Sequence, residues 1–358
     1  MRVALIGVGQ AGGKLAEAIG RDPLATDSVV GSLAINSARA DLSSLDLDTH
    51  LVGADRVNGH GVGGDNELGA TVVQDDANEV LDAIAGRVGS ACEAILITAG
   101  LGGGTGSGGA PVLAHELKRV YDVPVYVLGV LPGRDEGALY QRNAGRSLKT
   151  LARETDATLL VDNDAWRQSG ESMDEGYASI NENIAQRVGL LLAAGEIEPG
   201  TATAESVVDS SEVINTLRAG TLAAIGYASA ESSPDADANL NTITSVTRNA
   251  LLTGTSLPDA TTAESGLLIV AGETDRISRK GVESARSWLE TELDSMQVRG
   301  GDYPLDSERL AALVLLGGVE RSPRIQEFFE RASAASDEPD EQSDATESLV
   351  SDELDGLF

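Results

Sequence analysis

The sequence has few of the residues on which several common classes of protein depend. Its single cysteine, Cys92, excludes an intramolecular disulfide and any metal site built from several thiolates. No apolar run reaches the roughly 18–20 residues of a membrane-spanning helix. The start, MRVALIGVGQ, is too short and too rich in glycine for a secretory signal peptide. We therefore expect a cytoplasmic protein without a transmembrane segment.

Aromatic and lysine residues are also scarce. Aromatics make up 3% of the 358 residues, so the core must consist mainly of Ala, Val, Leu and Ile. Acidic residues number 57 against 26 basic ones, and the net charge is −31. The lysines are Lys14, Lys118, Lys149 and Lys280. An acidic surface poor in lysine keeps a protein hydrated in concentrated salt, which favours a halophilic source over an ordinary acidic protein. Because no Lys/Arg cluster could bind phosphates of nucleic acid, we expect no nucleic-acid partner.

Strand and helix patterns alternate through the first half of the chain. Near-continuous apolar strands that alternate with helices are typical of a parallel sheet covered on both faces. We therefore predict an α/β, Rossmann-like domain over residues 1–173. Its predicted strands are RVALIG, SVVGSLAIN, CEAILITAG, VPVYVLGVLP and ATLLVDN, and the segment ELGATVVQDDANEVLDAIAGRV has helical apolar spacing.

Three further segments follow this domain. The stretch DEGYASINENIAQRVGLLLAA predicts a long central helix, which with its connection covers residues 174–205. Strand and helix patterns then predict a smaller α+β domain over residues 206–332. No basic residue follows Arg331, and residues 333–358 are acidic and rich in serine, so we expect a disordered tail there. This tail could act as a solubilising segment, or its end, LVSDELDGLF, could dock on a partner.

Two glycine-rich loops stand at predicted strand-to-helix junctions, GVGQAGGK (Gly7–Lys14) and GLGGGTGSGG (Gly100–Gly109). Ligands of open parallel sheets bind at the carboxyl ends of the strands, where both loops lie. Glycine lets backbone N–H groups approach an anion, and a helix N-terminus adds unpaired donors and a partial positive charge. The hydroxyls of Thr105 and Ser107 are further donors. The two loops together predict a polyphosphate bound from two sides.

Two common nucleotide motifs were tested against these loops. The pattern G-x-x-x-x-G-K-[ST] fails, because Val8 stands at its first glycine and Leu15 follows the lysine. The pattern G-x-G-x-x-G is present at Gly7–Gly12, but strand two ends in Asn36 and not in the acid that would bind a ribose. It also leaves the second glycine loop unexplained. An NAD(P)-dependent enzyme is therefore the weakest alternative.

The segment GGGTGSG (Gly102–Gly108) resembles the signature of the tubulin/FtsZ family, and the similarity continues in order over roughly residues 1–330. The opening GVGQAGGK and the acidic composition resemble the CetZ group of haloarchaea more than FtsZ itself. The resemblance implies the tubulin/FtsZ fold, with a GTP-binding domain, a long central helix and a smaller C-terminal domain. It also implies a GTPase that assembles head to tail into protofilaments, and for the CetZ group it implies control of cell shape.

The resemblance also implies which residues contact the phosphates. They come from the first glycine loop, from the end of strand two, from the segment GVGGDNELG and from the main phosphate loop. They are Gly9, Gln10, Ala11 and Gly13; Asn36 with Ser37; Gly63, Gly64 and Asp65; and Gly102, Gly103, Gly104, Thr105, Gly106 and Ser107.

The ribose and the base are assigned in the same way. Glu136 in LPGRDEG would accept hydrogen bonds from the sugar hydroxyls. The arginine that the family carries in the next helix is displaced, since Arg142 lies two positions late. DNDAW resembles the DNEAL of tubulin, and with YASINENI it implies that Asn163 and Asn181 bind the guanine edge and that Tyr177 stacks on the ring.

Hydrolysis needs a group that orients or deprotonates water beside the γ-phosphate. Asp209 and Glu212 stand i, i+3 at a predicted helix start, where helix capping alone explains them. The resemblance implies instead that both acids enter the nucleotide site of the next subunit. Val207 replaces the asparagine that precedes them in FtsZ, so hydrolysis could be slow, and a weakly polymerising nucleotide-binding regulator remains an alternative.

No metal site is expected from the protein's own side chains. His50, His60 and His115 show no spacing typical of metal ligands, and Cys92 starts a buried strand. The phosphate loops hold no dense set of carboxylates. We therefore expect Mg²⁺ to be bound mainly by phosphates and water.

Overall fold

The computed structural model describes residues 1–166, 173–196, 208–258, 260, 262–320 and 322–337. The strands are β1 (Val3–Val8), β2 (Val29–Asn36), β3 (Thr49–Leu51), β4 (Ala94–Gly100), β5 (Val125–Leu131), β6 (Ala157–Asp162), β7 (Leu222–Glu231), β8 (Ala263–Gly272), β9 (Val298–Pro304) and β10 (Arg309–Val319). The helices are α1 (Gly9–Arg21), α2 (Arg39–Leu42), α3 (Ala54–Val57), α4 (Asn66–Asp75), α5 (Ala77–Ala85), α6 (Thr105–Val120), α7 (Ala138–Glu154), α8 (Asn163–Trp166), α9 (Met173–Ala194), α10 (Ser210–Leu217), α11 (Leu240–Leu252), α12 (Arg279–Leu293) and α13 (Pro323–Asp337).

The strands form one 10-stranded sheet in the order β3-β2-β1-β4-β5-β6-β7-β10-β8-β9. Strands β1 to β6 pair in parallel throughout. The apolar pattern predicted all of these strands except the short β3. Strand β10 is antiparallel to both β7 and β8, so the second half of the sheet is mixed. The halves meet where β6 pairs in parallel with β7 at Thr158–Leu222 and Leu159–Ala223.

Helices cover both faces of this sheet and give three layers. Alternate residues of β1 enter two separate apolar clusters, Ile6 on one face and Leu5 on the other, because successive strand side chains point to opposite sides. Helices α4, α5, α6, α7, α11, α12 and α13 contribute to the first cluster. Helices α1, α9 and α10 contribute to the second. The predicted parallel sheet buried on both faces is thus confirmed.

The central helix α9 runs from one edge of the sheet to the other. It has 22 residues, and at about 1.5 Å per residue it is roughly 33 Å long. At its end the amino group of Met1 donates to the carbonyl of Leu192 at 2.5 Å, next to the amino end of β1. Its beginning lies at the carboxyl ends of the strands. The helix therefore spans the molecule from the carboxyl ends of the strands to the amino end of β1.

Two of the predicted elements differ from the structure. The segment between residues 67 and 88, predicted as one helix, forms the two helices α4 and α5. They are divided at Asp76, and the carboxylate of Asp76 accepts a hydrogen bond from Gly53 N–H at 2.6 Å. Helix α13 continues to Asp337, into the segment predicted to be disordered. Most of that segment, residues 338–358 with the predicted docking motif, lies outside the described residues, as do residues 197–207 with Val207.

Candidate functional site

A cavity of about 640 Å³ opens at the carboxyl ends of β1, β2, β4, β5 and β6. Its walls are the segments that follow these strands, together with the start of α9. The lining residues are Val8, Gly9, Gln10, Ala11, Lys14, Asn36, Ser37, Ala38, Asp41, His60, Gly61, Val62, Gly63, Gly64, Gly100, Gly102, Gly103, Gly104, Thr105, Gly106, Val130, Pro132, Glu136, Tyr140, Asn163, Tyr177 and Asn181.

Backbone contact between the two glycine loops explains why they hold so many glycines. Gly9 has a φ of +76°, and a Cβ there would lie 2.8 Å from the nitrogen of Gly106. A Cβ at Gly106 would lie 2.6 Å from the carbonyl oxygen of Gly100 and 3.1 Å from that of Val8. Any larger residue would push these backbones apart. The floor of the cavity is therefore bare backbone at the start of α1 and α6, which suits an anion.

Hydroxyl groups from two loops meet beside this floor. Ser37 Oγ and Thr105 Oγ1 are 2.7 Å apart, and both residues line the cavity. Ser107 turns away from it, because its hydroxyl donates to the carbonyl of Gly103 and accepts from Asn66 Nδ2 at 2.8 Å. Of these three hydroxyls, those of Thr105 and Ser37 can therefore face a ligand.

Asn36 supports this wall through its side-chain amide. Its Nδ2 donates to Asp41 Oδ2 at 3.0 Å, and its Oδ1 accepts from the Ser37 N–H at 2.8 Å. Both amide atoms are therefore engaged within the loop that follows β2. The position lines the cavity, but the amide also fixes the loop.

The segment GVGGDNELG reaches the cavity through its glycines. Gly63 and Gly64 have φ values of +59° and +86° and line the cavity. Asp65 caps α4, since its Oδ1 accepts from the Leu68 N–H at 2.9 Å, and it does not line the cavity. Asn143 Nδ2 donates to the carbonyls of Gly64 at 2.8 Å and of Gly102 at 3.0 Å, so it links this segment to the main phosphate loop.

The opposite end of the cavity carries amides and an aromatic ring. Asn163 follows β6 directly and is 7% exposed. Tyr177 and Asn181 stand four residues apart on α9 and so share one helix face. All of these residues line the cavity, as does Glu136, whose Oε1 accepts from the Gly133 N–H at 2.7 Å. One end of the cavity thus suits phosphates, and the other suits a flat ring with polar edges.

Four of the predicted nucleotide-binding residues do not line the cavity in this structure: Gly13, Asp65, Ser107 and Arg142. Gly13 is buried against the side chain of Leu45. Arg142 belongs to α7, and the residue of that helix that reaches the cavity is Tyr140, four positions after Glu136. Tyr140 stands at the position where members of the family that the sequence resembles carry an arginine.

The sequence reasoning missed Lys14, Asp41, His60 and Tyr140 as cavity residues. Lys14 is the only lysine or arginine among the described residues that line the cavity, and its side chain can face an anion. Its place at the end of GVGQAGGK was a usable signal, because a cation beside a phosphate loop is favourable. His60 and Asp41 carried no such signal, since loop packing alone brings them to the cavity.

Asp209 and Glu212 lie at the other edge of the sheet. Asp209 caps α10, as its Oδ1 accepts from the Glu212 N–H at 3.0 Å. Ser210 Oγ donates to Glu93 Oε1 at 2.6 Å, and Glu93 directly precedes β4. The hydrogen bond from Ser211 lowers the pKa of Asp209, whereas burial, followed by the charge of Asp209, raises the pKa of Glu212. Neither acid lines the cavity of its own chain.

The described residues contain no group of three or more His, Cys, Asp or Glu side chains that could hold a metal ion. His115 Nδ1 instead lies 2.7 Å from Glu154 Oε2. Cys92 is buried, and its thiol donates to the carbonyl of Ala94. No helix in the described part of the chain is long and apolar enough to cross a membrane.

Two family models match almost the whole chain. "Tubulin/FtsZ family, GTPase domain" matches residues 2–171, and "Tubulin-like CetZ, C-terminal domain" matches residues 170–334. The chain belongs to the tubulin/FtsZ family, in its CetZ group. Among its relatives, the tubulin-like protein CetZ2 of Haloferax volcanii is 63% identical over 100% of both chains. CetZ1 of the same organism is 46% identical over 95% of this chain and 94% of its own.

Solved CetZ structures agree with the fold. A protofilament of CetZ2 from Haloferax volcanii with bound GTPγS gives a TM-score of 0.90 at 64% identity, over 94% of this chain and 99% of that one. The GDP-bound monomer of CetZ1 gives 0.86 at 46% identity, over 94% and 100%. The predicted family and fold are therefore confirmed. The haloarchaeal source of these CetZ relatives also agrees with the acidic, lysine-poor composition.

Proposed function

We propose that this CetZ-group protein binds GTP in the cavity and hydrolyses it when a second copy stacks head to tail on it in the cytoplasm. One observation carries the proposal. The cavity and the acids Asp209 and Glu212 lie at opposite edges of one sheet, so these acids would act on a nucleotide in the cavity only if a second copy supplied them. A head-to-tail stack brings the acidic edge of one copy to the cavity of the next.

The phosphates would lie on the glycine-rich floor. Backbone N–H groups at the starts of α1 and α6 would donate to them, and the helix dipoles favour negative charge there. Thr105 and Ser37 would add hydroxyl donors, and Lys14 would add positive charge. The bare backbone around Gly106 allows this close approach.

Mg²⁺ fits this end as a companion of the nucleotide. The described residues supply no carboxylate cluster, so most of its ligands would be phosphate oxygens and water. The hydroxyl oxygens of Thr105 and Ser37 are the protein groups suited to lie beside it. The ion would neutralise part of the triphosphate charge.

The nucleoside would fill the opposite end. The amides of Asn163 and Asn181 present both donors and acceptors, as the edge of guanine requires. The ring of Tyr177 would stack on the base. Glu136 would accept hydrogen bonds from the ribose hydroxyls, since its segment lies between the two ends.

The two acids would have different roles in hydrolysis, one as a proton acceptor and the other as a fixed negative charge. The raised pKa of Glu212 makes it a better proton acceptor than an ordinary glutamate, whereas Asp209 stays ionised. We assign water activation to Glu212 and its electrostatic support to Asp209. Concentrated salt would screen the repulsion between two chains of net charge −31 and so permit stacking.

The direct test measures GTP turnover per subunit against protein concentration in concentrated KCl, with sedimentation of the same samples. We expect the turnover per subunit to rise as polymer forms, and NAD not to compete with GTP. Turnover that is independent of concentration would contradict the proposal. GTP binding without sedimentable polymer would favour the second candidate, a nucleotide-bound regulator, which the tyrosine in place of the family arginine motivates.

Control of cell shape is the proposed cellular role. It rests on membership of the CetZ group alone. Imaging of a tagged copy in growing and in motile cells, with and without the intact Glu212, tests it. A deletion strain of normal shape in every growth phase would overturn this role and leave the biochemistry untouched.

A further inference from the structure

A buried ion pair joins the C-terminal helix to the base end of the cavity. Arg324 of α13 donates from Nε to Asp162 Oδ2 at 2.6 Å and from Nη2 to Asp162 Oδ1 at 3.0 Å. Arg324 is 3% exposed and Asp162 is 1% exposed. Asp162 ends β6 and directly precedes Asn163, which lines the cavity. The arginine therefore holds the backbone that presents Asn163.

The same helix also holds the ribose segment. Arg134 lies in that segment and donates from Nη2 to Glu327 Oε2 at 2.7 Å and from Nε to Glu327 Oε1 at 3.2 Å. Asp164 Oδ2 accepts from the Arg134 N–H at 2.9 Å and from Arg324 Nη2 at 3.3 Å. Arg324 and Glu327, one helical turn apart, thus bind the two segments that carry Asn163 and Glu136.

Apolar contacts alone can hold α13 against the rest of the protein. Phe328, 0% exposed, and Ile325 already dock the helix in the apolar core. Replacing a buried ion pair by apolar residues is often neutral or stabilising, so such a pair adds little to adhesion. A bidentate arginine–carboxylate pair does fix orientation, because the planar guanidinium matches the carboxylate in one arrangement. The ionic contacts are therefore suited to hold the base and ribose segments in place.

We propose that Arg324 and Glu327 are positioning residues of the nucleotide site, through which GTP binding and the docking of α13 are coupled. This inference rests on the proposed function of the cavity. Coupling between two sites is reciprocal, so bound nucleotide must stabilise the docked α13 as much as docking favours the nucleotide. The acidic segment that follows α13 in the sequence would thereby be linked to the nucleotide state.

The main test uses Glu327→Gln in the full chain. The substitution removes the ion pairs of Glu327 with Arg134 and, at 3.9 Å, with Arg324, and it leaves Arg324 paired with Asp162. Glu273→Gln is the matched control, because Glu273 is as exposed as Glu327, at 37% against 36%, and also accepts from an arginine Nε, that of Arg276. We expect Glu327→Gln to weaken GTP affinity about five- to tenfold and to reduce the preference for GTP over ITP. Glu273→Gln should change neither.

A second measurement separates positioning from mere stability. Amide hydrogen exchange of α13 should slow when GTP is added to the unaltered chain, and this protection should shrink in Glu327→Gln. Arg324→Lys keeps the charge but not the bidentate geometry, and it should show the same losses at a temperature where the protein is fully folded.

The outcomes distinguish the two proposals. If the unaltered chain does not bind GTP, the proposed function fails. If it binds GTP, yet Glu327→Gln behaves like Glu273→Gln and nucleotide leaves exchange of α13 unchanged, the coupling is refuted and the proposed function stands.

Discussion

Ser210 Oγ donates a 2.6 Å hydrogen bond to Glu93 Oε1, which ties the start of α10 to the amino end of β4. The other end of this strand, Gly100, lines the cavity. The strand has 7 residues, and at about 3.3 Å per residue it keeps the two ends roughly 20 Å apart. Asp209 and Glu212 are therefore fixed far from the cavity of their own chain.

Replacement of Glu212 by alanine should leave GTP binding intact and slow GTP hydrolysis. We expect unchanged GTP affinity, because the acid lies outside the cavity of its own chain. Turnover should fall about 100-fold or more, as for the loss of a general base, and filaments should persist longer. Glu283→Ala on the exposed surface of α12 is the control and should behave like the unaltered protein. Normal turnover by Glu212→Ala polymer would rule out this role.

The pH dependence of turnover should report the raised pKa of Glu212. The base must be ionised, so turnover should fall on acidification at a pH above the ordinary value of 4.5. Asp209→Asn removes a negative charge that raises this pKa and keeps a side chain able to cap α10. The acidic limb of the kcat profile should therefore move to lower pH. An unmoved limb would show that another group titrates.

The same raised pKa has a consequence for stability. The folded chain binds a proton at Glu212 more readily than the unfolded chain does. Ionised Glu212 therefore weakens the fold at pH values above its folded pKa, and this penalty is removed as the pH falls through that pKa towards 4.5. Glu212→Gln should remove this contribution to the pH dependence of the free energy of unfolding. Denaturant titrations at pH values between 4.5 and the folded pKa of Glu212 would measure it.

Removal of the Tyr177 ring should weaken nucleotide binding. Stacking of an aromatic ring on a base contributes about 1–3 kcal/mol, so Tyr177→Ala should raise the Kd for GTP roughly five- to 150-fold. Tyr177→Phe keeps the ring and should bind almost as well as the unaltered chain. Calorimetric titration with GTP and GDP measures both variants. Equal affinities for the alanine and phenylalanine variants would exclude stacking.

A methyl group at Gly106 should damage both stability and binding. The Cβ would lie 2.6 Å from a backbone carbonyl oxygen that cannot move without β4. We expect the free energy of unfolding of Gly106→Ala to fall by about 1–3 kcal/mol. Gly86→Ala is the control, since nothing lies within 4 Å of its Cβ and its φ is −72°. Equal stability of the two variants would contradict the described loop contact.

The sequence predicted the features that depend on local patterns. The apolar runs identified β1, β2, β4, β5 and β6 but not the short β3, and the glycine loops identified the edge at which the cavity lies. Features that depend on distant contacts were not predictable. The helix break at Asp76 depends on the N–H of Gly53, and the buried pair of Arg324 and Asp162 joins residues 162 positions apart. Tyr140 reaches the cavity through the orientation of α7, for which the sequence has no pattern.

The most direct test of the account mixes two impaired variants in concentrated KCl. Glu212→Ala has an intact cavity, and the double variant Tyr177→Ala/Asn181→Ala has intact acids but a damaged base site. The control mixture replaces the second variant by a triple variant that also carries Glu212→Ala. We predict that each variant alone turns over GTP far more slowly than the unaltered chain, and that the first mixture regains turnover while the control mixture does not. Turnover in the first mixture no greater than the sum of its separate components would contradict a site completed by a second molecule.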